Sequence, residues 1–227
     1  MPFKRCAYCG ATDNITKDHV PPKCLFDSGR KINLITVPAC GNCNSSFKKD
    51  DEYFRLMLAL HPDLADKGEF QYLMDAAKRA LNKPQSRSFK KHLNSNISIK
   101  EMFSAEGIYL GSANALKVDV QRMIKIARRI LVGLYFHHHK EVIPSEYEIA
   151  IFLKDTQKND SAFQSESVQD ILKYLEINGT RIVSNNVLNV WIGIPEDDRR
   201  SSVWYVSIAK TFGYFAFITS EQCTIRN

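Results

Sequence analysis

The sequence predicts an α+β fold: a small cysteine-stapled module followed by a larger region of mixed helices and strands. Three observations predict it. Two Cys-x-x-Cys pairs, Cys6/Cys9 and Cys40/Cys43, bracket the first fifty residues. Apolar residues recur at helical spacing through Val120, Met123, Ile124, Ala127, Ile130, Leu131 and Leu134. Short alternating runs, among them YEIAIFL, SVWYVSIAKT and GYFAFIT, crowd the C-terminal third.

Taken in order, NITKDHV reads as a strand ended by Pro21 and Pro22. A helix is expected from about Asn44 to Leu60, because the residue before Pro62 avoids helical geometry. A second helix fits Glu69 to Asn82, stopped by Lys83-Pro84. The polar, basic stretch PQSRSFKKHLNSN reads as a loop. ISIKEMF and GIYLGS read as two strands joined through Gly107. The clearest helix spans about Val118 to His139, with Asp119 placed to cap it. Its Arg122, Lys125 and Arg129 share a second face, read as a solvated flank. SVQDILKYLEING follows YEIAIFL as a helix ending at Gly179. RIVSNNVLNVWIGI, SVWYVSIAKT and GYFAFIT then read as three strands, with Trp191 and Trp204 as core residues. A boundary near residue 60 divides a 1–60 module from a 61–227 region that positions substrate, dimerises or binds a partner.

Composition narrows the function classes. The longest apolar run, about Ile130 to Phe136, is far short of the roughly 20 residues that span a bilayer, so no membrane role is expected. The first residues, MPFKRCAYCG, carry no apolar signal core, and a cytoplasmic location is the expectation. In a reducing compartment, paired cysteines bind metal more readily than they form disulfides. No Walker A loop, GxGxxG turn or nucleophile-elbow serine is present, which leaves nucleotide-driven chemistry without a motif. The net charge of +6 is unevenly spread. Residues 76–100 contain no acid, and the first 49 residues hold eight Lys or Arg against three Asp or Glu. Such clustering suits a polyanion. Lys48, Lys49, Lys78, Arg79, Lys83, Arg87, Lys90 and Lys91 are the candidate nucleic-acid contacts. His137, His138 and His139 end a helix, and adjacent helical side chains diverge, so they make a poor metal site.

Two residues between cysteines let both sulfurs turn toward one ion, and Gly10 and Gly41 give the adjoining turns freedom. Four thiolates, Cys6, Cys9, Cys40 and Cys43, predict a closed, structural Zn²⁺ site. The ion would fasten the N-terminus to a segment some thirty residues on, in a unit too small to fold on its own core.

Inside that frame lie Lys17-Asp18-His19-Val20-Pro21-Pro22, then Asn33-Leu34, then Asn44 directly after the second cysteine pair. Imidazole titrates near neutrality, so His19 can take a proton from water. Asp18 and Asn44 offer hard oxygens of the kind that bind Mg²⁺ or Mn²⁺. Adjacent strand residues point to opposite faces, so Asp18 and His19 share a site only if the strand twists or bulges.

The order Cys-x-x-Cys, Asp-His-x-Pro, Asn-Leu, Cys-x-x-Cys-Asn resembles the zinc-bearing HNH endonucleases, also called ββα-metal or His-Me finger nucleases. The resemblance covers about the first fifty residues. It implies a metal-dependent nuclease with His19 as general base, Asp18 and Asn44 holding a catalytic Mg²⁺ or Mn²⁺, and Asn33 fixing the loop. The chain departs from the pattern at Asn44, where many members have histidine, and at Phe47, where many have lysine. Asp50, Asp51 and Glu52 read as the polar face of a helix or as acids supporting the site.

The function so implied is DNA hydrolysis, with RNA as an alternative substrate. A homodimer, or a regulatory partner such as an ATPase or sensor, would suit an effector of anti-phage defence. The competing reading is a non-catalytic zinc-stabilised module that binds nucleic acid or protein.

Overall fold

The computed structural model describes residues 5–27, 33–65, 68–154 and 166–220. The chain is mixed α and β, as the sequence predicts. Strands β1 (Ile15–His19) and β2 (Thr36–Cys40) pair antiparallel, Ile15 opposite Cys40 and His19 opposite Thr36. β2 runs straight into helix α1 (Gly41–Ser46), followed by α2 (Lys48–Ala59), α3 (Pro62–Ala65) and α4 (Gln71–Leu81). Helix α5 (Arg87–Ser95) precedes a hairpin of β3 (Ile97–Phe103) and β4 (Tyr109–Leu116). Helix α6 (Val120–His139) leads to β5 (Tyr147–Leu153), α7 (Glu166–Asn178), β6 (Thr180–Ser184), β7 (Leu188–Gly193), β8 (Ser202–Ile208) and β9 (Phe212–Ser220). The last five strands form one antiparallel sheet in the order β5-β9-β8-β7-β6.

Period-two burial divides the sheet's faces. On β8, Trp204, Val206 and Ile208 are buried in the main core, which also takes in Ile130, Leu131 and Leu134 of α6. Val203 and Tyr205 turn the other way and join Phe215 and Trp191 around Leu175 of α7. Each side chain this buried contributes on the order of 1.5–3 kcal/mol, so α6 and the sheet hold one another. The same apolar core continues through Phe54 and Leu56 of α2 to Val37, Val20 and Ala7. The expected boundary near residue 60 falls between α2 and α3, and this core runs across it.

Three local readings are corrected. The helix expected from 44 to 60 breaks at Phe47. Ser45 and Ser46 hydroxyls donate back to the carbonyls of Asn42 and Cys43, at 3.1 and 2.8 Å, competing with the helical ladder. Residues 84–96, expected as loop, contain α5, which has only half-buried Phe89 and buried Leu93 on its inner side; two apolar residues four apart suffice to seat it. RIVSNNVLNVWIGI is two strands, because the Asn185 side chain accepts from the amides of Val187 and Leu188, at 2.9 and 2.7 Å, and turns the chain. The Asp119 cap is present, accepting from the Arg122 amide at 3.0 Å.

Candidate metal centre and active site

The four-cysteine centre is built by two turns. The first is closed by the Gly10 amide donating to the Cys6 carbonyl at 2.9 Å, with Gly10 at φ +75, a conformation glycine adopts without strain. The second is the β2–α1 junction, where Cys40 caps the helix and its sulfur accepts from the Cys43 amide at 3.5 Å. The Ala7 amide donates to the Pro38 carbonyl at 2.8 Å and ties the turns together. The sulfurs of Cys6, Cys9, Cys40 and Cys43 all lie within 4.8 Å of one another, an arrangement that can hold a metal ion. The amide of Cys43 lowers the Cys40 thiol to about 7, which favours a thiolate there.

His19 ends β1 and is half-buried. Partial burial, helped by the positive charge of Lys23, lowers its pKa below the usual 6.5 against the pull of Asp18, so the imidazole is neutral at pH 7. Lys23, exposed in the short turn that follows, escaped the sequence reading. Its signal there was only its position, directly after a pair of prolines.

Asn44 on α1 lies against the hairpin. Its side-chain amide donates to the Thr16 hydroxyl at 3.0 Å and to the Lys17 carbonyl at 3.4 Å. Asn33 is exposed and makes no side-chain hydrogen bond among the described residues.

Asp18 goes elsewhere. The β1–β2 register runs without a bulge, so Asp18 faces inward while His19 faces out. Asp18 is only 6% exposed. Arg129 Nη2 donates to its Oδ1 at 3.0 Å and its Oδ2 at 2.8 Å. The Tyr8 hydroxyl donates to Oδ2 at 2.6 Å, and the His19 amide to Oδ1 at 2.9 Å. Nη1 of the same arginine donates to Asp51. A carboxylate has about four acceptor positions, and Asp18 has filled them. The donor set expected for Mg²⁺ or Mn²⁺ therefore does not fit as placed: a guanidinium already holds the carboxylate. The resemblance could not anticipate this, because Arg129 lies outside the first fifty residues.

The basic flank of α6 is solvated only in part: Lys125 is exposed as expected, while Arg122 is half-buried and Arg129 is buried. Arg122 Nε lies 2.8 Å and Lys125 Nζ 3.0 Å from the Asp50 carboxylate, and Arg122 stacks 4.3 Å over Tyr53. Arg129 sits 4.0 Å over the Phe47 ring. Asp50 and Asp51 thus dock α2 and the module onto α6.

Lys48, Lys49, Lys78, Arg79, Lys83, Arg87, Lys90 and Lys91 are all exposed, on or beside α2, α4 and α5. His139 stacks on Tyr135 at 4.2 Å, in keeping with a packing role for the triple histidine. No helix among the described residues is long and apolar enough to cross a membrane. The chain matches no protein-family model, no curated protein and no solved structure.

Proposed function

We propose that this chain is an HNH-type endonuclease that hydrolyses DNA phosphodiester bonds, with a structural Zn²⁺ on Cys6, Cys9, Cys40 and Cys43. One observation carries the reading. A neutral, half-exposed His19 stands at the end of a strand whose hairpin partner passes through the four-cysteine centre into the helix bearing Asn44. The Cys9–Cys40 sulfur separation of 3.7 Å supports zinc: ligands at about 2.3 Å in a tetrahedron stand about 3.8 Å apart.

In this reading His19 takes a proton from water as the oxygen adds to phosphorus, and the 3′ oxygen departs with a proton from solvent. Lys23 is a cation beside the base, suited to a phosphate oxygen. The Mg²⁺ or Mn²⁺ that the resemblance implies is given no step, because Asp18 is bound to Arg129. The exposed lysines and arginines of α2, α4 and α5 suit backbone contact that is blind to sequence. RNA as substrate, a homodimer, a regulatory partner protein and a defence role remain part of the proposal, resting on the resemblance alone.

The Asp18–Arg129 pairing favours a second reading, in which the module is a non-catalytic zinc-stabilised binder and Asp18 is structural. Nicking of supercoiled plasmid by wild type and His19→Ala, with zinc content measured in both, separates the two. Loss of nicking in a zinc-replete variant is the expected result. Equal nicking by both proteins removes His19 from the chemistry, and DNA binding without nicking selects the second reading. Repeating the assay in EDTA and in Mg²⁺ reads the ion requirement. Cleavage that needs Mg²⁺ would place the ion on other donors or on an Asp18 that Arg129 has released.

A further inference from the structure

A cleft of about 480 Å³ opens between α2, α4, α5 and the start of α6, apart from His19 and the cysteine centre. Its walls are half apolar, with Leu56, Leu81 and Phe89 among them. Its rim is cationic. Lys49, Arg55 and Lys83 line it against one carboxylate, Glu52. The fourth basic side chain with permanent charge, Arg122, is committed to Asp50 and to the Lys49 carbonyl. Lys49, Arg55 and Lys83 make no ion pair among the described residues. The Nε of Arg55 is buried and has no hydrogen-bond partner.

A buried guanidinium N–H without an acceptor is costly, and native proteins seldom leave one unmet. An anion's oxygen would supply that acceptor, in a cleft lined by these three cations and one acid. The volume lies within the range of small-molecule sites, about 300–1,000 Å³, and is larger than inorganic phosphate needs. The apolar wall calls for a ligand with an apolar, flat part, and the Phe89 ring has no aromatic partner among the described residues. Bases stack on such rings irrespective of their identity.

We propose that this cleft binds a nucleotide, its phosphate on Arg55, Lys49 and Lys83 and its base against Phe89. The site stands whether or not His19 cuts nucleic acid. Two sources share this chemistry: a free mononucleotide, and one nucleotide of a single strand laid into the cleft.

Calorimetric titration of the full chain with the four 5′-mononucleotides, adenosine, inorganic phosphate and a twelve-nucleotide single strand tests it. The expected result is binding of mononucleotides, with adenosine and phosphate at least about tenfold weaker. Arg55→Gln and Lys83→Ala should each weaken binding by about tenfold or more, the usual effect of one charge-assisted hydrogen bond. Lys173→Ala, exposed on α7 and outside the cleft, should not. Lys83 is exposed, so its variant folds even if Arg55→Gln does not. Strand binding that these variants weaken, and that mononucleotides compete away, identifies the strand as the source. Absence of binding by every mononucleotide and by the strand at millimolar concentration overturns the proposal. So does binding that is unchanged in both folded variants.

Discussion

Arg129 on α6 donates from one nitrogen to both carboxylate oxygens of Asp18 on β1, across 111 positions of sequence. Its other terminal nitrogen holds Asp51 on α2. One cation thus joins the hairpin, the helix behind it and the long helix of the main core. Its side chain is 6% exposed. Removing one member of a buried ion pair leaves the remainder unpaired, at a cost of about 3–5 kcal/mol. Arg129→Met should destabilise the chain by that order in urea denaturation. Arg129→Lys should recover little, because a single ammonium cannot serve two carboxylates through a planar fork. Adding Asp18→Asn and Asp51→Asn to Arg129→Met should restore much of the loss.

The same cluster sets a pH dependence. Burial raises the Asp51 carboxyl from 3.8 to about 6, against the opposing charge of Arg129. The folded chain then binds this proton more tightly than the unfolded chain, so stability falls as pH rises from about 4 to about 6. His19 acts the other way: its lowered pKa takes stability away as pH falls through about 6.5 and below. The Asp51 contribution is therefore read as a difference. Wild type minus Asp51→Asn, measured by denaturant titration, should decline between pH 4 and 6 and level off above.

Much of this arrangement was legible in the sequence, and its gaps have definite causes. The cysteine centre was legible because two x-x spacings constrain four sulfurs locally. The inward turn of Asp18 was foreshadowed by strand alternation alone. What it turns toward was not, since Arg129 reads as one of three basic residues on a helix flank, and nothing local says that Asp50 and Asp51 complement them. At the break the Phe47 ring is held between Tyr8, at 5.1 Å, and Arg129, contacts across the fold that period counting does not reach. α5 was missed because one buried leucine and one half-buried phenylalanine leave no stripe to read.

Removing the metal tests the staple. Among the described residues the buried cluster at the four sulfurs is small: Cys6, Ala39 and Cys40, with Tyr8, Ala11 and Ile15 packed against it. Metal binding to such sites supplies about 10–16 kcal/mol in small units. Cys9→Ser, at the exposed ligand, should lower zinc stoichiometry by mass spectrometry and expose residues 5–19 to hydrogen exchange. The sheet of β5–β9, which packs through α6 and α7, should keep its protection.

Gly133 lets α6 pass close to the module. A Cβ there would stand 2.5 Å from Cγ2 of Val20, the residue after His19. Gly133→Ala gains about 1 kcal/mol of helix propensity, but overpacking against a stiff β-branched neighbour costs about 1–3 kcal/mol. The clash should prevail, lowering thermal stability, and NMR shifts should concentrate at Val20 and His19.

The acid limb of activity tests the base itself. If His19 takes the proton, kcat/KM for plasmid nicking should be flat through neutral pH and fall only below pH 6.5, because burial and Lys23 both lower its pKa. Lys23→Ala removes the second cause, so the limb should move to higher pH by a fraction of a unit. Phosphate binding should weaken in the same variant, raising KM. A limb that stays put, with KM raised, would assign Lys23 to substrate alone. A limb that moves to lower pH would contradict the electrostatics, since losing a neighbouring cation can only make imidazolium easier to form. Direct titration of His19 by NMR gives the same shift in the absence of substrate, separating the charge effect from catalysis.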